Sequence, residues 1–244
     1  MDKLIISGCS WSCGEWGLEN NDQKLFLKED CFTNILKNNF KVFNISRGGG
    51  SNWQSLFSVS NFHYFPNNKY HIILFQTDPS RMALSEKFDI SKKDIENNLI
   101  NTNELKIFFQ SMSELFYYKI DVVAKKINTS INIVGGLSDV DIDICKNFDN
   151  INIFCQSWKC LLDKNFVPQS MPIQIDSNLF EMAMKLKKFD LCDEIEDYNL
   201  KNFHLYNDFL SSKYIGPVFG DFHPNRDAFK IMSDFIVENK NKLV

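Results

Sequence analysis

Glycine and proline are scarce in this chain, with 10 and 6 among 244 residues. No Gly/Ser-rich stretch reads as a linker, and there is neither an internal repeat nor a low-complexity tail. One large domain over residues 1–244, or one domain with an insertion, is therefore expected. Positive charge is not in excess: 27 Lys and Arg face 31 Asp and Glu, a net charge of −4. That argues against a nucleic-acid groove, which brings a basic stripe. Long apolar runs are missing, so no membrane span is expected. No leader is expected either, because strand-like residues begin at Lys3. The seven cysteines form no C-x-x-C pair, and no histidine stands near them to complete a zinc site. Free thiols in a reducing cytoplasm are the expectation, with no metal and no cofactor.

What the chain does have is 44% hydrophobic residues, ample for a core, and 23 Phe. Short β-branched or aromatic runs occur at Leu4–Ser7, Val42–Ile45, His71–Gln76, Ile131–Val134 and Ile151–Phe154. Several are apolar at consecutive positions, as parallel strands buried on both faces are. Helical patterns lie between them, at Asp30–Asn38, Ser51–Phe62 and Asn103–Lys126. A last helix is expected over Pro224–Asn239, with the proline in its first turn, where its missing N–H costs nothing. Alternating strands and helices predict an α/β layer fold with right-handed crossovers. Residues 158–219 fit the alternation poorly and read as an insertion or lid. The acidic run Asp190–Asp197 within them reads as a solvated face.

The scarce glycines are not evenly spread. Three of the ten, Gly8, Gly14 and Gly17, stand in GCSWSCGEWG, directly after the first strand run. Three more stand together in NISRGGGSNW, after the second. QTDPSR follows the third run, and GDFHPN precedes the last helix. Open parallel sheets bind ligands at the carboxyl ends of their strands, so these turns are the candidate site. Ser10 would sit at the first turn after strand one, where it serves either as a nucleophile or as a helix cap. Among the four histidines, only His223 lies in such a turn.

Gly-x-Ser after strand one, a glycine turn after strand two, an Asp turn after strand three and Asp/His before the last helix resemble the four blocks of the SGNH (GDSL-like) hydrolases. The resemblance runs over nearly the whole chain. It implies a flavodoxin-like, three-layer α/β/α sandwich with a mostly parallel five-stranded sheet. It further implies Ser10 as nucleophile, His223 as base and Asp221 as the residue that orients it. Donors to the oxyanion would be the N–H groups of Ser10 and Gly49, with Gly48 and Gly50 as alternatives. Thr77, standing where the family has Asn, would supply a third, with Gln76 or Arg81 as alternative sources. Cys9 replaces the family's usual Asp and is expected to point inward, with Ser12 and Cys13 as packing or capping residues. Asp221 stands two residues before His223 where the family has three, so a Ser–His dyad is the alternative.

The implied activity is a metal-free esterase. Trp11, Trp16 and Trp53 beside the first two turns either wall a site or cap the sheet edge. The first alternative, with Asn52 as a further polar contact, points to an acylated glycan or another small ester as the partner. Two other functions fit the same residues. One is an acyltransferase; the other is a glycan-binding or structural module that has lost the chemistry.

Overall fold

The computed structural model describes residues 1–13, 31–78, 102–164, 166–168, 177–210, 215–218 and 221–244. At 102–106, 108, 177–179, 182, 202–210, 215–218 and 221–223 it describes the backbone alone. Five strands form a wholly parallel sheet: β1 (Lys3–Ser7), β2 (Lys41–Asn44), β3 (Tyr70–Gln76), β4 (Ile131–Gly135) and β5 (Ile151–Cys155). Their order, β2-β1-β3-β4-β5, is the flavodoxin-like one, with the switch point between β1 and β3.

The sheet is buried on both faces because its strands carry apolar residues at successive positions. Leu4, Ile6, Ile73, Phe75 and Val134 point to one side. There they meet α1 (Ser10–Cys13), α2 (Phe32–Ile35), α6 (Trp158–Leu162) and α9 (Arg226–Glu238). Ile5, Ile72, Leu74, Ile131 and Ile133 point to the other. They meet α3 (Asn52–Ser60), α4 (Thr102–Ile127) and α5 (Ile142–Cys145). The two sets alternate along each strand, as a period of two requires. Each large side chain buried in this way contributes about 1.5–3 kcal/mol. The result is the three-layer α/β/α sandwich.

Helix α3 starts where the sequence places its cap. Ser51 accepts the Gln54 N–H, and the Gln54 side chain accepts the Ser51 N–H, a reciprocal capping box. The last helix starts later than the sequence suggests. Pro224 ends a strand, and Asn225 caps α9 by accepting the Ala228 N–H at 3.1 Å. An Asn side chain that satisfies a free helical N–H defines the helix start better than a proline that merely tolerates it.

The 158–219 stretch has two characters. Its first helix, α6, follows β5 directly, and Trp158 is fully buried in the core. Farther on, α7 (Ser177–Lys185) packs against α8 (Phe189–Leu210), and α8 also touches α4. A two-stranded antiparallel sheet closes the stretch, β6 (Ile215–Val218) with β7 (Asp221–Pro224). No helix among the described residues is long and apolar enough to cross a membrane.

Candidate active site

The turn after β1 is built around Gly8. A Cβ there would run into the Ser12 hydroxyl and come within 2.9 Å of Phe75 Cβ, so no other residue fits. The chain then turns at Cys9, whose carbonyl accepts the N–H groups of Ser12 at 3.1 Å and Cys13 at 3.0 Å. Ser10 is therefore the first residue of α1. It is 7% exposed, and its hydroxyl is bonded to none of the described residues. Cys9 points into the core, as the sequence suggests. Ser12 and Cys13 tie the turn to the end of β2: the Ser12 hydroxyl lies 2.9 Å from that of Ser46, and the Cys13 thiol donates to the Ser46 carbonyl. Asn44 donates from its side chain to the Ser12 carbonyl at 2.9 Å.

The glycine turn is docked onto the first one. Arg47 N–H donates to the Gly8 carbonyl at 3.1 Å, and Gly50 N–H closes the turn onto the Arg47 carbonyl at 3.0 Å. Gly49, between them, has φ of +66°, the left-handed conformation that glycine adopts without strain. It is exposed and has open space around it. Gly50 has spent its N–H within the turn. The N–H of Gly49 donates to no described backbone carbonyl.

Asn52 and Thr77 form a pair that the sequence does not announce. The Asn52 side-chain oxygen accepts the Thr77 N–H at 2.8 Å, and its amide donates to the Thr77 carbonyl at 3.1 Å. Asn52 is 1% exposed, so this side chain clamps the turn after β3 to the start of α3. Both backbone groups of Thr77 are thereby used. Its hydroxyl is fully buried and has no hydrogen-bond partner among the described residues.

Gln76 is engaged elsewhere. Its amide donates to the Asp139 carbonyl at 3.2 Å, and its oxygen accepts the Tyr117 hydroxyl at 2.8 Å. Those bonds direct it to α4 and the turn after β4. Trp11 is 2% exposed and meets Trp158 edge-on in the core. Trp53 packs edge-on against Phe116 of α4. The Trp11 ring thus fills core space, whereas Trp53 is half-buried. Trp16 and Arg81 lie outside the described residues.

Asp221 and His223 belong to β7, where the structure describes the backbone alone. That strand runs beside both α1 and α9, with Cα atoms within 8 Å of each. His63 and His71 lie away from these turns: His71 is buried near the amino end of β3, facing Asp2 at 3.4 Å.

A buried ion pair sits beyond the turn of β3, and nothing in the sequence signals it. Lys159 and Asp139 are both fully buried, 3.2 Å apart. The ammonium also donates to the Leu137 carbonyl at 2.8 Å. Burial pushes the Lys159 pKa down, against the opposing pull of the Asp139 and Asp78 carboxylates. Burial likewise raises Cys155, to about 12, which leaves that thiol protonated and inert. Among the described residues, no group of three or more His, Cys, Asp or Glu side chains is arranged to hold a metal ion.

No family model and no curated protein matches the sequence. Among solved structures, the chain is similar to a member of the lipolytic protein G-D-S-L family from Veillonella parvula DSM 2008. That likeness has a TM-score of 0.42 and 12% identity and covers 100% of both chains. It is similar as well to a lipase/acylhydrolase from Enterococcus faecalis, with TM-score 0.41, 11% identity, and 100% and 98% coverage. AlinE4, an SGNH-hydrolase family esterase, is a further likeness, with TM-score 0.32, 10% identity, and 99% and 94% coverage.

Proposed function

We propose that this chain is a serine hydrolase of the SGNH type that cleaves an ester. One observation carries the reading: the strand that contains His223, β7, lies beside the helix that Ser10 begins. Residues 213 positions apart in the sequence are thus on neighbouring elements at the carboxyl edge of the sheet. In the mechanism, the Ser10 hydroxyl attacks the ester carbonyl while His223 accepts its proton. Asp221 orients the imidazole. The tetrahedral oxyanion is held by the N–H groups of Ser10 and Gly49 and by the Thr77 hydroxyl. Each such donor is worth roughly 3 kcal/mol in the transition state. Collapse expels the alcohol, protonated by His223, and water then releases the acid by the same steps in reverse.

Thr77 takes the donor role in preference to Gln76 because the Gln76 side chain is already committed, whereas the Thr77 hydroxyl is buried and unspent. The substrate class is an ester with a small acyl group. Sugar stacking on Trp11 has no support, since that ring is packed in the core; Trp53 is half-buried and keeps an exposed part that a glycan could meet. The test is exposure to a fluorophosphonate, followed by intact-mass and peptide mass measurement. One adduct on Ser10, absent from Ser10→Ala, is expected. An unlabelled wild-type protein that also leaves p-nitrophenyl acetate intact would point instead to a module that has lost the chemistry.

A further inference from the structure

Lys159 is a fully buried cation that the proposed reaction does not use. Its contacts run toward the reaction all the same. The ammonium donates to the Leu137 carbonyl at 2.8 Å and lies 3.2 Å from the Asp139 carboxylate. Both acceptors belong to the turn that follows β4. That turn is bound to Gln76 by two hydrogen bonds and a bridge. Leu137 N–H donates to the Gln76 carbonyl at 3.1 Å. The Gln76 amide donates to the Asp139 carbonyl at 3.2 Å. Tyr117 completes the bridge, donating its hydroxyl to the Gln76 oxygen at 2.8 Å and accepting the Asp141 N–H at 3.0 Å. The fit is close: a Cβ on Gly136 would come within 2.7 Å of the Gln76 carbonyl oxygen. Thr77 is the next residue.

We propose that Lys159 is a positioning residue, which fixes the turn after β4 and, through Gln76, the placement of Thr77. The inference rests on the hydrolase reading only for its effect on rate. Its structural content stands independently. A buried ion pair is a weak source of stability, because desolvation offsets the attraction. Its geometry is nonetheless demanding, since the ammonium has to meet a carbonyl and a carboxylate at once. That geometry anchors the strand-end turn through charged as well as neutral contacts. Thr77 is then held from two sides, by Asn52 and by Gln76.

The experiment uses the full chain carrying Lys159→Met together with Asp139→Asn. Lys159→Met alone would leave the buried Asp139 carboxylate uncompensated and is expected to fold poorly; the double variant removes both members of the pair. Hydrogen exchange followed by mass spectrometry reads the peptide spanning Gln76–Asp78, and p-nitrophenyl acetate hydrolysis reads the rate. Exchange at Thr77 should accelerate about tenfold or more, while peptides of β1 and α3 keep wild-type protection. In the same variant kcat should fall about 10- to 100-fold, with KM within roughly twofold of wild type. Unchanged exchange at Gln76–Asp78 would overturn the proposal. So would a uniform acceleration across the chain, which would mean that the pair serves overall stability alone. Local acceleration with wild-type kcat would overturn its catalytic half. A wild-type protein with no turnover and no phosphonate adduct would instead remove the hydrolase reading and leave the exchange result to decide the positioning.

Discussion

Gly8 is a position where a single added methyl group meets the turn that leads into Ser10. Its missing Cβ is the space occupied by the Ser12 hydroxyl and by Phe75. Gly8→Ala should cost about 1–3 kcal/mol by overpacking and should displace Ser10, so esterase activity falls more than stability alone explains. Urea titration and kcat on the folded fraction check both parts. Its neighbours separate by burial. Ser10→Ala is expected to abolish turnover. Cys9→Ala should keep most of the activity while costing about 1 kcal/mol or more for the lost core volume, because the thiol is in the core. A dead Cys9→Ala beside an active Ser10→Ala would reverse the assignment of the nucleophile. At this scale the sequence is informative where backbone geometry selects the residue. A glycine between a strand run and a Ser reads as a sharp turn, and Gly8 makes that turn. The sequence is uninformative for Trp11, because an aromatic ring that walls a site and one that fills a core leave the same trace. Lys159 is the extreme case: a lysine reads as exposed, and its burial depends on acceptors at 137 and 139, contributed by another turn.

Among the elements, the turns after β1, β2 and β3 act as one unit, since each is bonded to the next. The bond from Asn52 to Thr77 joins the second turn to the third. Asn52→Leu should strand a buried N–H and a buried carbonyl, at about 1–3 kcal/mol for each group. Thermal denaturation reads that loss. A fall in kcat with little change in KM would show that the clamp sets Thr77 for the transition state. Ser51→Ala provides the contrast: it removes the cap of α3, costs about 1 kcal/mol, and should leave kcat nearly unchanged. The parallel strands are legible in the sequence because two-sided burial leaves unbroken apolar runs, and α3 and α4 because their apolar residues recur at helical spacing. The β6–β7 pair is not legible. IGPV and DFHP carry Gly and Pro within four-residue strands, and these are residues that local propensity assigns to turns. That misreading falls on the segment containing Asp221 and His223, so the residue types of this block are legible while its backbone is not. The clamp is silent for a similar reason: an Asn near a helix start reads as a cap or as a ligand contact, and its partner is 25 positions away.

In the whole molecule, the two edges of the sheet have different tasks, and pH should separate them. The strand-end turns lie at the carboxyl edge. At the amino edge, Asp121 of α4 secures the entry to β5. Its carboxylate accepts the Asn150 N–H at 3.1 Å and the Asn150 side-chain amide at 2.8 Å, and meets Lys125 at 2.6 Å. Asn150 in turn accepts the Ile131 N–H at 3.0 Å, so the same contact aligns β4 with β5. Burial alone would raise the Asp121 pKa; the Lys125 ammonium and the two Asn150 donors outweigh it and hold the carboxyl below its usual range. An unfolded aspartate titrates near about 3.9. Between the folded value and that one, the unfolded chain binds more protons than the native one, so stability rises with pH across the interval. The contribution of Asp121 is therefore complete above about pH 4 and is lost as pH falls through the folded-state value. Asp121→Asn should be less stable than wild type at neutral pH. The gap between the two should narrow on acidification and close once the wild-type carboxyl is protonated. Urea midpoints of both proteins, taken from neutral pH down to about pH 2.5, span the window on both sides of the unfolded value. A gap that stays constant across that range would show that the Asp121 carboxylate carries no stability of its own and that the amino edge is held by packing alone.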